Sequence, residues 1–238
     1  MSNKNKIIVT GGAGFVGTNL IKLLLNKTKY KLISIDNYSS GKKSNHIKSP
    51  RVKYIKGKTV NISKLIKNPK EIKSVFHFGE FARIYQSFLK MNECIDSNSI
   101  GSNAIFNFCL MNNIKLIYSA TSASLGNKGN DKNLSPYAFS KAKNLELLEN
   151  LKKWFKFKYE VIYFYNVYGP HQICKGPMAT VIGIFEEHYR KGKSLPVYGD
   201  GKQIRDWLYV DDHVRALLLV ALNGEIGETY NIGGNNEM

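Results

Sequence analysis

Tyr137 and Lys141 stand four residues apart, just after Ser135-Pro136. Serine followed by proline is a good helix start, because the hydroxyl can cap free N–H groups and proline suits the first turn. A helix from that point puts Tyr137 and Lys141 on one face, one turn apart. An ammonium beside a phenol favours the phenolate and lowers a pKa that starts near about 10, making the tyrosine a usable base close to neutrality. The same spacing also describes an ordinary helix with a half-buried ring and a solvated lysine, so the pair gains meaning only from its company. The second chemical stretch is Gly11-Gly12-Ala13-Gly14-Phe15-Val16-Gly17, which follows Ile7-Ile8-Val9 directly. Gly11, Gly14 and Gly17 permit a tight turn and a close approach of backbone to a pyrophosphate, whose charge a helix N-terminus stabilises. Asp36 ends the next apolar run, where a carboxylate can accept both hydroxyls of an adenosine ribose. A carboxylate there repels a ribose 2′-phosphate, so the expected dinucleotide is NAD rather than NADP.

Elements of matching period surround these residues. Residues 6–10 and 31–35 read as strands, and residues 18–26 between them as a helix. Further strands are expected at 52–56, 75–78, 115–119 and 160–165, and helices at 96–112 and 137–154. This alternation implies a doubly wound parallel sheet with helices on both faces, an α/β class of Rossmann type. The dinucleotide-binding domain is placed at residues 1–165 and a partial substrate-binding lobe at 166–228. Residues 229–232 are expected to return to the sheet as a strand. The lobe holds a helix at 180–191, treated as packing, a short strand at 208–210, and a helix at 214–222 that Asp211 or Asp212 can cap.

Composition bounds the function. The 238 residues are 43% hydrophobic and 22% charged, as in a globular protein with a sizeable core. Apolar runs are too short to span a bilayer, and the N-terminal residues do not read as a signal peptide, so a cytoplasmic protein without a membrane partner is expected. The formal charge is +17, but the lysines are spread evenly with no nucleic-acid-binding motif around them, so no nucleic-acid partner is expected. Cys94, Cys109 and Cys174 form neither a metal pattern nor an even disulfide set, and the histidines add no metal pattern.

Taken together, these motifs resemble the extended short-chain dehydrogenase/reductases, specifically the NAD-dependent nucleotide-sugar epimerases and dehydratases, closest to members like UDP-glucose 4-epimerase. Residues 10–17 resemble the family's dinucleotide loop, and Asp36-Asn37 its ribose-binding acid. Phe78 and Gly79 sit where a strand end touches the cofactor, Asn98 matches an asparagine near it, and Tyr165 falls in the cofactor set. Thr121 is similar in position to the catalytic serine or threonine, and Tyr137 with Lys141 to the catalytic pair. Asn166 resembles the substrate-contacting asparagine. The run Tyr198-Gly199-Asp200-Gly201 through Arg205 resembles the segment whose arginine binds the substrate diphosphate. The sequence departs from the family at Lys58, where an acid often touches adenine, at Glu80, usually a small residue, and at Leu125, a common tyrosine. The stretch between Thr121 and Tyr137 is short, and the chain stops where relatives continue.

The resemblance implies bound NAD, a nucleotide-sugar substrate and a homodimer formed through the helices at 96–112 and 137–154. It implies oxidation at the sugar's C4, with Tyr137 taking the hydroxyl proton, Thr121 holding the same oxygen, and Lys141 holding down the tyrosine pKa and binding the nicotinamide ribose. Epimerisation through a transient 4-keto sugar is the expected reaction. Related dehydratases carry Asp-Glu directly after the catalytic threonine, whereas Ser122-Ala123 stands here. The alternatives are a dehydratase or reductase of the same family, or a truncated protein that binds NAD or a nucleotide sugar without turnover.

Overall fold

The computed structural model describes residues 4–197 and 199–233. In chain order the elements are β1 (Lys6–Thr10), α1 (Phe15–Lys27), β2 (Lys31–Asp36), β3 (Val52–Lys56), α2 (Ile62–Leu65), β4 (Ile72–His77), α3 (Ile84–Leu89), α4 (Met91–Ile95), α5 (Ser102–Met111), β5 (Lys115–Thr121), α6 (Pro136–Phe155), β6 (Tyr159–Phe164), β7 (Asn166–Tyr168), α7 (Val181–Arg190), β8 (Trp207–Tyr209), α8 (Val210–Asn223) and β9 (Thr229–Asn231). Seven strands form one parallel sheet in the order β3-β2-β1-β4-β5-β6-β9, and β7 pairs with β8 in a separate parallel ribbon.

Strand period explains the layering, since successive side chains point to opposite faces. Ile8, Val75, Leu116, Tyr118 and Val161 face one apolar cluster with Ile62, Ile105, Phe106 and Leu148 of α2, α5 and α6. Ile7, Val9, Phe76, Ile117 and Ile162 face the other, with Leu20, Ile21 and Leu24 of α1 and Val214 and Leu217 of α8. The strand order reverses direction between β1 and β4. In such sheets the crevice beyond the strand C-termini at that reversal is where ligands bind.

Two expectations change. The helix at 96–112 is instead a π-helical turn, Asp96–Gly101, running into α5. A regular helix tolerates such a bulge where side-chain bonds compensate it. Here Asn98 is tied to the backbone of Phe81 on both sides of its amide, and a Cβ on Gly101 would meet Thr59 Oγ1 at 2.3 Å. The short helices α3 and α4 before it have too few residues for a periodic signal. Asp211 and Asp212 do not cap α8: Tyr209 is the N-cap, and the two acids occupy the first turn, where they favour the helix dipole.

Candidate active site at the C-terminal ends of β1, β4 and β5

Gly11 and Gly79 lie back to back at the crevice. Gly11 has φ +68°, and a Cβ on it would meet Gly79 N at 2.9 Å; one on Gly79 would meet Gly11 N at 3.0 Å. Gly17, inside the first turn of α1, lets that helix settle on the loop, for its Cβ would meet Gly11 O at 2.2 Å. Gly14 is the N-cap of α1 and carries no side-chain cap. The first helical N–H groups, at Phe15 and Val16, are thus left to an anion. Asp36, buried at the end of β2, accepts N–H bonds from Ala13 at 3.0 Å and Tyr38 at 2.7 Å. A carboxylate has about four lone-pair sites, so two remain for a diol. Asn37 is exposed and accepts from Ser39 N at 2.9 Å. Lys58 is exposed at the start of the short turn after Gly57. The crowded glycines, the uncapped helix and the buried acid fit a dinucleotide.

The proton-transfer residues come from two neighbouring elements. Thr121 ends β5, and its Oγ1 accepts from Ala123 N at 3.2 Å. Ser135 caps α6, accepting from Ala138 N at 3.0 Å, with Pro136 in the first turn. This start delivers Tyr137 and Lys141 to one face. The Tyr137 ring is half-buried, and the Thr121 side chain acts on its hydroxyl. Desolvation of that hydroxyl is the largest influence on it. Glu80 and Cys94 add to the rise, Thr121 and Arg83 oppose it, and the phenol ends at about 12.

Lys141 does not spend its charge on Tyr137. It is buried and pairs with Glu80 and the Ser119 carbonyl, with its ammonium 4.3 Å from the centre of the Tyr118 ring. Burial pulls the Lys141 pKa down against the opposing pull of Glu80. Burial alone would raise the Glu80 carboxyl, but Lys141, His77 and the hydrogen bonds from Lys141 and Ser102 hold it below the usual carboxylate range. Glu80 also accepts from Ser102 Oγ at 2.8 Å and Tyr118 OH at 2.9 Å. The chain of bonds runs on to the glycine loop. His77, at the end of β4, meets Ser102 Oγ at 2.9 Å through Nε2 and Thr10 Oγ1 at 2.7 Å through Nδ1. Because Ser102 donates to Glu80, it accepts from His77 Nε2–H, which leaves Nδ1 to accept from Thr10. Thr10 Oγ1 in turn accepts from Phe78 N at 3.1 Å and Gly79 N at 3.0 Å. Burial keeps His77 neutral, with its pKa lowered to about 4.

The other expected site residues divide. Asn98 is fully buried, and its amide holds Phe81 at 2.6 and 3.0 Å. Phe78 lies against Phe164, ring centres 5.5 Å apart. Tyr165 OH donates to Asn231 Oδ1 at 3.3 Å. Asn166 Nδ2 donates to the Asp206 carbonyl at 3.1 Å, which sets it beside the backbone of Arg205. Arg205 itself is exposed and donates to Ile204 O at 2.8 Å. Tyr198, at the head of that segment, lies outside the described residues, as do residues 234–238. Two participants carry no short-range sequence signal. Arg83 donates from Nε to Met178 O at 2.9 Å, across 95 residues, and its charge is felt at Tyr137. Ser87 Oγ accepts from Tyr137 N at 3.3 Å. Both lie on the α3 stretch, where only a tertiary contact reveals their role. Among the described residues no helix is long and apolar enough to cross a membrane.

Fold, glycine loop and Tyr–Lys pair define a dinucleotide-binding α/β protein of the short-chain dehydrogenase/reductase type. Residues 7–233 match the NAD dependent epimerase/dehydratase family, and the chain belongs to that family, whose cofactor is NAD. It is similar to dTDP-glucose 4,6-dehydratase 1 of Escherichia coli K12, 29% identical over 270 residues that cover 98% of this chain and 73% of the relative. Among solved structures it resembles a UDP-N-acetylglucosamine 4-epimerase from Methanobrevibacter ruminantium M1 in complex with UDP-N-acetylmuramic acid. The TM-score is 0.90 at 31% identity, over 100% of this chain and 79% of that one. It also resembles the dTDP-glucose 4,6-dehydratase of Streptomyces venezuelae with NAD bound. There the TM-score is 0.88 at 25% identity, over 98% and 77% of the two chains.

Proposed function

We propose that the protein is a nucleotide-sugar 4-epimerase, with a UDP-hexose as substrate. Both 4-epimerases and 4,6-dehydratases stand among its relatives, and both begin by oxidising the sugar at C4. NAD, when bound, supplies the hydride acceptor and donor. Tyr137 accepts the C4 hydroxyl proton as the phenolate, the form that the positive charge of an oxidised nicotinamide would favour over the phenol held at about 12 without it, and later returns the proton, while Thr121 donates a hydrogen bond to the same oxygen. Asn166 and Arg205 hold the substrate, with Arg205 forking onto the diphosphate.

The observation that carries the choice of reaction is the run after Thr121. Dehydration removes a proton at C5 and expels the C6 hydroxyl, so it needs a further base and a further acid near the ring. Ser122 and Ala123 stand where the related dehydratases have Asp and Glu. A serine hydroxyl is a poor acid at neutral pH, and alanine has no proton to give. Glu80 is the nearby acid that could stand in, but it is ionised, buried and turned toward Lys141, Ser102 and Tyr118. Epimerisation needs neither group, since the hydride returns to the carbon it left.

The protein incubated with UDP-glucose or UDP-N-acetylglucosamine is expected to form the C4 epimer, followed by NMR, with a raised KM in Arg205→Ala. A stable 4-keto-6-deoxy sugar would establish dehydration instead. Binding of NAD and nucleotide sugar with no product from any UDP- or dTDP-hexose would favour the non-catalytic alternative.

A further inference from the structure

We propose that Arg83 binds the carboxylate of a nucleotide-linked hexuronic acid, so that the preferred sugar carries an acid at C6. This deepens the reading of Tyr137 as the group that moves the C4 hydroxyl proton, and it rests on that reading. Arg83 is half-buried at the start of α3. The backbone around it is fixed. The Asn98 amide holds the N–H and the carbonyl of Phe81, two residues earlier, and Ser87 N donates to the Arg83 carbonyl at 3.1 Å. Ser87 Oγ in turn accepts from Tyr137 N at 3.3 Å. The stretch that carries Arg83 is thus bonded to the turn that carries Tyr137, and the guanidinium charge acts on the Tyr137 hydroxyl.

The guanidinium has five N–H groups to satisfy. Nε and Nη2 both donate to Met178 O, at 2.9 and 2.5 Å, and Nη1 donates to Ala82 O at 2.7 Å. Carbonyls bring no charge, and among the described residues no carboxylate forms an ion pair with Arg83. Glu80, the acid three residues before it, is taken by Lys141. Burial acts against the charged guanidinium, and a charge withdrawn from water without an opposite charge is costly. One N–H remains on each terminal nitrogen, and that pair suits the two oxygens of a carboxylate.

Position along the sugar selects the anion. The Tyr137 hydroxyl marks the place of O4. The diphosphate hangs from C1, across the ring from C4, and is assigned to Arg205. The pyrophosphate of NAD belongs to the glycine loop. C5 adjoins C4 and carries C6, so a C6 carboxylate is the anion that a hexose brings nearest to O4. The carboxylate takes no part in hydride transfer. It supplies the counter-ion that Arg83 lacks and orients the ring against Tyr137.

The test compares UDP-glucuronate with UDP-glucose, which differ only at C6. Calorimetry on the NAD-loaded wild-type protein is expected to show about tenfold tighter binding of UDP-glucuronate, the size of one hydrogen bond to a charged group. The turnover assay should show the same preference in kcat/KM, with UDP-galacturonate as the product. In Arg83→Gln, whose amide can still donate to the Met178 carbonyl, Kd and KM should rise about tenfold for UDP-glucuronate and stay near wild type for UDP-glucose. Arg83→Lys keeps the charge without the fork and should retain part of the preference. Any effect of the lost charge on Tyr137 falls on kcat for both sugars alike. Equal weakening of both sugars in Arg83→Gln would mean that Arg83 only clasps Met178, and overturns the proposal. So does a wild-type protein that binds UDP-glucose as tightly as UDP-glucuronate, or binds neither, and this arm needs no variant to fold. If UDP-glucuronate is preferred in binding but neither sugar is epimerised, the epimerase reading fails and the carboxylate site stands. If UDP-glucose is epimerised with no preference for the acid, the carboxylate site alone fails.

Discussion

At the scale of single residues, Tyr137 and the buried histidines make the sharpest predictions. Tyr137→Phe deletes one oxygen and leaves the ring, so folding and NAD affinity should stay nearly unchanged. Turnover should fall by at least about a hundredfold, the lower end of what a positioned acid–base contributes. Thermal melts, NAD calorimetry and a turnover assay check the three parts, and near-normal turnover would refute the assignment. His77 and His213 carry a pH prediction. Both are fully buried, with pKa values lowered by desolvation to about 4 and about 3. Unfolded histidine titrates near about 6.5. Below that pH the unfolded chain binds protons that the folded chain does not, so stability is lost as pH falls from about 6.5 toward the folded values. Each histidine contributes a slope of about 1.4 kcal/mol per pH unit in that window. Among the described residues neither ring nitrogen of His213 has a hydrogen-bond partner, and its ring packs edge-on to Phe164 with centres 4.2 Å apart. His213→Leu should then lose no hydrogen bond and should flatten the decline between pH 6 and pH 4. Urea unfolding at several pH values measures it, and an unaltered slope would show that His213 is not the group responsible.

At the scale of elements, period and punctuation made most of the sheet readable. Ile7-Ile8-Val9 before the glycine loop, and the Ser135-Pro136 start of α6, announce structure through local chemistry, and the first strand and the long helix stand where that chemistry put them. What stayed hidden is held together by contacts distant in sequence. The turn Asp96–Gly101 is π-helical and sits where Asn98 reaches Phe81, 17 residues away. Lys141 turns to Glu80, 61 residues away. Glu80 was visible only as a departure from the family pattern, and nothing in the spacing of Tyr137 and Lys141 reveals that a carboxylate takes the ammonium. A prediction at this scale concerns Gly17. A Cβ there would lie 2.2 Å from Gly11 O and 2.7 Å from Gly12 Cα, both backbone atoms that cannot swing away. Gly17→Ala must push α1 off the loop. The expected cost is of order 1–3 kcal/mol in stability, as for other overpacked cores, with NAD affinity reduced at least tenfold. Melting and calorimetry together check this. Unchanged NAD binding would mean that the loop does not hold the pyrophosphate.

At the scale of the whole molecule, the remaining question is association. The helices α3, α4 and α6 pack on one another beside the site, yet they leave large apolar side chains in water. Tyr85 is 71% exposed, Phe88 56%, Leu89 65%, Met91 54%, Trp154 62% and Phe155 59%. Single exposed apolar residues are ordinary, but this many on neighbouring helices point to a contact surface. The expected partner is a second copy of the chain; the family resemblance places it on the helices at 96–112 and 137–154, of which the second is α6, and the exposed side chains of α3 and α4 would extend that surface. Burial of one such side chain contributes about 1.5–3 kcal/mol, so placing a charge there should be costly to the dimer. Light scattering at micromolar concentration should give twice the chain mass, and Phe88→Glu with Leu89→Lys should weaken association at least tenfold. The same helix α3 faces inward with Ser87, whose Oγ accepts the Tyr137 N–H, and Arg83 stands just before it, close enough for its charge to be felt at Tyr137. Loosening the outer face of α3 therefore loosens the backbone that places Tyr137. The charged double variant should lose turnover at low protein concentration and regain it as concentration rises through the dimer range. A wild-type monomer at micromolar concentration would contradict the assembly. A monomeric variant with full turnover at every concentration would separate the interface from the site.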